Sequence, residues 1–181
     1  MQLKYVIWSL LFLLVGKHSD EKTISWNEER RLTWRDFNAD PNSNSDAVAL
    51  TASGITFGYS VKTSGRKIVS FSYTVEAHFY PNKSWYLSNR ANDYILAHEQ
   101  LHFDITELYA RKFRQHLERL VANQNVKKQM NQIHKAINEA LSKTQNTYDE
   151  QTQHSIKTEA QKYWKNYITE ELQKLDKYKS Q

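Results

Sequence analysis

From Ala91 to Arg119 the chain runs without a proline or a glycine, and inside that stretch lies His98-Glu99-Gln100-Leu101-His102. No other feature restricts the fold as strongly. A run of good helix formers with no breaker predicts one long helix, taken here as Ala91–Leu120, with Ser88 or Asn89 as its cap. Tyr94-Ile95-Leu96 leads into the motif, and Phe103, Ile105, Leu108 and Tyr109 follow at helical spacing. Residues four apart lie on one helical face, one turn above the other. Histidines at that spacing can share one zinc ion, and the glutamate between them can work on water activated there. His98 and His102 are therefore the candidate zinc ligands and Glu99 the candidate general base. Two histidines at a core edge beside a structural glutamate are the competing reading, because the short motif alone is a weak signal.

The segments before this helix carry a different period. Ile24–Trp26 reads as a short strand, and residues 38–46, with Pro41 and several Asn, Ser and Asp, read as a loop. Between residues 47 and 80 the pattern is that of a small antiparallel sheet. Val69, Phe71, Tyr73, Val75 and Ala77 share one face, and Ser70, Ser72, Thr74, Glu76 and His78 share the other. Ser64-Gly65 marks a hairpin turn, and Gly54 and Gly58 mark a bulge or a close backbone approach. After the long helix, Val126, Met130, Ile133, Ile137 and Leu141 recur every three or four residues and predict a second helix. The polar run Ser142–Thr147 predicts its loosening, and Ile156 to Leu175 predicts a last helix. His134 flanks the apolar stripe as an edge-of-core histidine. Arg111, Lys112, Arg114 and Arg119 are expected on solvated faces. The segregation of strand period before helix period gives an α+β fold with the sheet packed on the motif helix and later helices completing the core.

At 181 residues the chain can build one substantial core. Its net charge of +5 comes from 25 basic and 20 acidic residues spread along the chain, which gives no basic block and argues against a nucleic-acid partner. The absence of cysteine excludes disulfides, thiolate-bound metal and a lipidated thiol. Lys4 precedes an apolar run from Tyr5 to Val15 that ends at Gly16. The run is short for a membrane span and reads as an export signal. Residues 1–19 are thus expected to be a signal peptide and short leader. Residues 20–181 are expected to form one domain, secreted or periplasmic, with no stable membrane insertion after cleavage.

Several separated stretches carry a resemblance. Leu32-Thr33-Trp34-Arg35-Asp36-Phe37, Thr51-Ala52-Ser53-Gly54-Ile55, the run from His98 to Ile105, Glu107, Ala110-Arg111, and Tyr148-Asp149 with Thr152 and His154 are similar to the DUF922 family of bacterial proteins. The resemblance implies a zincin-like fold and a secreted zinc-dependent protease acting on a peptide or protein. Zinc needs a third protein ligand and an open position. His154, in the second family-like motif, is the first choice, with Asp149, Glu150, His134 and Glu107 as competitors. Asp104 and Asp149 are candidates for orienting the ligating imidazoles from behind. Tyr148 is a candidate hydrogen-bond donor to a developing oxyanion, beside Glu99 as base. Two other classes stay open: a zinc-stabilised envelope binding module without hydrolysis, and a metal-free structural interaction protein. Nothing in the sequence names an oligomeric state.

Overall fold

The computed structural model describes residues 21–42 and 47–180; the segment read as an export signal lies outside them. The strands are β1 (Ile24–Ser25), β2 (Ala49–Leu50), β3 (Ser53–Ser64), β4 (Lys67–Phe79) and β5 (Trp85–Tyr86). The helices are α1 (Asp93–Glu118), α2 (Val126–Thr152) and α3 (Thr158–Lys174). One antiparallel sheet has the order β1-β4-β3, and β2 pairs with β5 in a second, two-stranded ribbon. The expected small sheet on a long motif helix with further C-terminal helices is what the chain forms.

The β3–β4 hairpin turns at Gly65, whose φ of +59° is cheap only for glycine. Its register brings Ile55 opposite Ala77 and Phe57 opposite Val75, so one face of the ribbon is apolar. The register passes Gly54 and Gly58 without a break and shifts between Lys62 and Thr63 instead. Of the two alternatives for these glycines, close approach holds at Gly58. A Cβ at Gly58 would stand 3.0 Å from Thr74 Oγ1, and one at Gly54 would stand 3.4 Å from the Tyr80 ring.

Helix α1 buries two faces. Phe103, Ala110, Phe113 and Leu117 pack with Val75, Ala77 and Phe79 of the sheet and with Trp26, Leu32 and Phe37. Leu101, Ile105 and Leu108 pack with Leu141 and Tyr148 of α2 and Trp164 and Ile168 of α3. Each fully buried large apolar side chain contributes about 1.5–3 kcal/mol, so the helix is held from both sides. Its cap is Asn92, whose side-chain oxygen accepts from the Ile95 N–H at 2.9 Å, rather than Ser88 or Asn89. Those two residues belong to the turn before the helix, where the Ala91 N–H returns to the Leu87 carbonyl.

Two further expectations need correction. Arg111 is 2% exposed, not solvated: it donates to Glu107 Oε1 at 2.9 Å and to the Leu172 carbonyl at 2.7 Å. Glu107, itself fully buried, requires such partners. Arg114 likewise turns inward, onto the Val75 carbonyl and Glu107. The second correction is that α2 does not loosen at Ser142–Thr147 but continues to Thr152. The run holds no breaker, and its polar side chains find partners on α1. Thr144 Oγ1 meets the Tyr109 hydroxyl at 2.6 Å, and Gln145 reaches His102 and Thr106. No helix among the described residues is long and apolar enough to cross a membrane.

Candidate metal centre

Because α2 stays helical, its last turns pass over the start of α1. Its inward stripe continues from Ile137 and Leu141 to Tyr148 and Thr152, all buried. Asp149, next to Tyr148, is carried over the His98–His102 face. One carboxylate oxygen, Asp149 Oδ1, lies 3.2 Å from His98 Nε2 and 3.0 Å from His102 Nε2, and the two Nε2 atoms are 3.3 Å apart. His98, His102 and Asp149 thus converge on one point as a candidate metal cluster. Four ligands held tetrahedrally at zinc bond lengths of about 2.0–2.1 Å stand about 3.3–3.4 Å from one another. The observed triangle is close to one face of that tetrahedron. The donor set of two imidazole nitrogens and one carboxylate oxygen also suits zinc.

Of the candidates for a third donor, the structure brings Asp149 rather than His154 onto the two imidazoles. His154 lies past the end of α2, in a turn where Gln153, His154 and Ser155 all have positive φ, of 49°, 50° and 73°. Its side chain is 74% exposed, and its Nδ1 is 3.7 Å from Asp149 Oδ1, on the outside of the cluster. Asp149 is in direct contact with the imidazoles, as a converging donor rather than a support behind them. Glu150 is exposed, and His134 stacks on Phe113 at 5.5 Å, far from the motif in the sheet-side core. Glu107 is engaged with Arg111, Arg114 and Ser180.

Asp104 does not reach the imidazoles. It accepts from Trp26 Nε1 at 2.9 Å, Gln100 Nε2 at 2.9 Å and the Arg31 guanidinium at 2.8 Å and 3.2 Å. Two helical residues beyond His102 is a rotation of about 200°, which turns Asp104 to the opposite side of α1. There it ties down the N-terminal segment. Tyr148 is fully buried beneath the motif. Its ring stacks on His98 at 4.5 Å and meets His102 edge-on at 4.9 Å. Its buried hydroxyl donates to the His98 backbone carbonyl at 3.4 Å. Tyr148 forms the floor on which both imidazoles rest.

Glu99 is buried beside the pair, and Thr51 Oγ1 donates to its backbone carbonyl at 3.2 Å. Burial of the His102 ring disfavours its charged form, but hydrogen bonding to Asp149 and the charges of Glu99 and Asp149 outweigh this and raise its pKa. For Asp149, burial acts upward, and hydrogen bonds from His102 and His98 overcome it to hold the carboxyl well below the usual range. Burial pushes the Tyr148 hydroxyl far up, with Glu99 and Asp149 adding to it, so Tyr148 stays protonated. Two residues absent from the sequence reading complete the surroundings. Gln145 pairs with His102 Nδ1, and Gln161 of α3 lies 3.2 Å from His98 Nδ1. Gln145 had a signal, since it precedes Asp149 by one helical turn. Gln161 had none.

Comparison with known proteins adds one positive finding. The sequence model of a family described as "Bacterial protein of unknown function (DUF922)" matches residues 27–155. No curated protein matches, and no solved structure matches.

Proposed function

Because the chain belongs to the DUF922 family, whose description leaves the function open, its chemistry has to be read from the site, and we propose an exported zinc-dependent metallopeptidase. The observation that carries this reading is the triangle of His98 Nε2 and His102 Nε2, on the helix that also presents Glu99, with Asp149 Oδ1 brought onto them by α2. His98, His102 and Asp149 would hold the ion, leaving a fourth position open. Zinc bound there would supply Lewis acidity, which acidifies water and polarises a carbonyl. Glu99, one residue after the first histidine, accepts the proton that water gives up and returns it to the leaving amine of the cleaved peptide bond. Asp149 contributes the one negative charge among the three donors. Tyr148 keeps both rings in place from below. The sheet-on-motif-helix arrangement is zincin-like, and the substrate is a peptide or protein. Lys4 and the apolar run to Val15 support export to the periplasm or beyond, with residues 20–181 as one domain, and N-terminal sequencing of envelope or secreted protein should find that run missing.

The test compares wild type with Glu99→Gln on a broad peptide library, after zinc content has been measured for both. The substitution keeps side-chain size and removes the proton acceptor. Zinc content should be unchanged and cleavage should fall by about 10²–10⁴-fold. Equal turnover would sink the mechanism. Zinc in both proteins with turnover in neither would favour the binding module. Wild type that takes up no zinc would favour the metal-free alternative, in which Asp149 simply pairs with the two imidazoles.

A further inference from the structure

Two glutamines from different helices stand behind the two motif imidazoles. Gln161 Oε1 lies 3.2 Å from His98 Nδ1, and Gln145 Oε1 pairs with His102 Nδ1. A primary amide can present either its oxygen or its NH2 to a ring nitrogen, and what its other end meets decides which. The Gln161 amide nitrogen is 3.2 Å from the backbone carbonyl of Tyr94, one helical turn before His98. The Gln145 amide nitrogen is 2.9 Å from the backbone carbonyl of His102 itself and 3.3 Å from Thr106 Oγ1. A carbonyl oxygen only accepts, so each amide must turn its NH2 to the backbone of α1 and its oxygen to the ring. An oxygen at Nδ1 requires the ring to carry its proton there. With its proton held on Nδ1, each ring has Nε2 left for its other partner, and Nε2 is the atom that each ring turns towards Asp149.

We propose that Gln145 and Gln161 are positioning residues that fix a proton on Nδ1 of His102 and of His98, so that Nε2 is the nitrogen each ring offers: to Asp149 as a donor without metal, and to the ion as a lone pair once zinc displaces the Nε2 proton. The consequence for zinc affinity rests on the metal reading above; the Nδ1 proton does not. The arrangement is enforced by burial. His98 and Gln161 are 3% and 6% exposed, so a mismatched pair would leave polar groups without water to rescue them. Both partners are neutral amides, so they fix the tautomer without adding negative charge behind the rings. Gln161 lies beyond the family-matched span of residues 27–155, which makes α3 part of the metal-site support in this chain.

The experiment has two readouts. Affinity is measured with Zn2+ alone against a chromophoric chelator. Tautomers are read by long-range 1H–15N correlation spectra of the imidazoles, in metal-free and zinc-loaded protein in mildly alkaline buffer. Gln161→Met and Gln145→Met remove the acceptor at similar volume, and Gln161→Glu keeps it. Gln151→Met is the structural control, because Gln151 accepts from Trp164 Nε1 at 2.8 Å and so joins α2 to α3 away from the rings. Wild type and Gln151→Met should show both rings protonated at Nδ1, with and without zinc. Each Met variant at Gln145 or Gln161 should release its own ring from that form and weaken zinc binding by about 10–100-fold, while Gln161→Glu keeps the tautomer. Unchanged tautomers and affinity in both Met variants would overturn the proposal. If those variants fail to fold, loss of the His98 Nδ1 proton in Gln161→Glu overturns it. Wild type that binds no zinc overturns the metal reading instead, and the metal-free spectra then decide this proposal alone.

Discussion

Asp149→Ala and His154→Ala separate the two possible third ligands, and the geometry makes their outcomes far apart. Asp149 Oδ1 closes a triangle with both Nε2 atoms, whereas His154 reaches only the outer side of that carboxylate at 3.7 Å. Structural zinc sites bind with roughly 10–16 kcal/mol in all, which is about 2.5–4 kcal/mol for each of four ligands. Loss of one ligand therefore corresponds to about 10²–10³-fold in Kd. Asp149→Ala should weaken zinc by that factor. His154→Ala alters an exposed side chain, for which effects stay within about 0.5 kcal/mol, or a factor of about two. Titration of each purified protein with Zn2+ against a competing chelator gives the ratio directly. Thermal unfolding gives it independently. At zinc concentrations above every Kd, a 10²–10³-fold loss removes about 2.7–4.1 kcal/mol of linked stability. At this chain size that lowers the zinc-loaded Tm by roughly 6–15 °C, with little change from His154→Ala. Wild-type affinity in Asp149→Ala, or an equal loss in the two variants, would refute the assignment of Asp149 as the converging donor.

Other sites give sharper tests of the fold. Phe113 is fully buried, 4.8 Å from Phe57 and 5.5 Å from His134, so Phe113→Ala should cost about 3–5 kcal/mol in urea unfolding. Ser155→Gly should stabilise the protein by about 0.5–1 kcal/mol, because Ser155 sits at φ +73° and glycine enters that region without a Cβ penalty; a loss of stability would contradict the strain argument. Asp36 caps the turn at Trp34–Asp36: burial acts to raise its pKa, but the Thr33 N–H and Arg30 outweigh this and depress it. A depressed folded pKa means its contribution is present above the unfolded value of about 3.9 and is lost as pH falls through the folded value. Asp36→Asn should therefore be less stable than wild type at neutral pH and converge with it in acid; a gap independent of pH would remove the charge from the explanation.

What could be read along the chain depended on how far apart the interacting residues are. His98, Glu99 and His102 belong to one helix, so their spacing fixes their relative positions whatever the rest of the fold does. The β3–β4 ribbon was legible for the same reason: alternation over Val69–Ala77 and a glycine at the turn are local facts. Asp104 could have been placed from periodicity alone, since two residues past His102 turns a side chain to the opposite face. Its partners there, Trp26 and Arg31, come from the N-terminal segment that packs on that face. The third donor is different in kind. Its location depends on whether α2 remains straight from Leu141 onward and on how α2 lies against α1.

The polar run Ser142–Thr147 is where that dependence enters. Read by composition, it resembles a helix end, but composition ends a helix only through residues that break it, and this run has no proline or glycine. Polar side chains can face inward when the opposing helix offers polar partners, and α1 does so with Tyr109, Thr106 and His102. The helix then continues past the run to Thr152, and that last stretch brings Tyr148 beneath the rings and Asp149 onto their Nε2 atoms. Had α2 ended near Ser142, the chain beyond it would have been free to supply His154, and a histidine would have been the more natural third donor. The polarity that imitates a loop is thus the trace of the site itself. An apolar continuation of the Ile137–Leu141 stripe would pack against α1 equally well, but it would take Gln145 from His102 Nδ1 and leave His98, served by Gln161 of α3, as the one ring with a partner behind it.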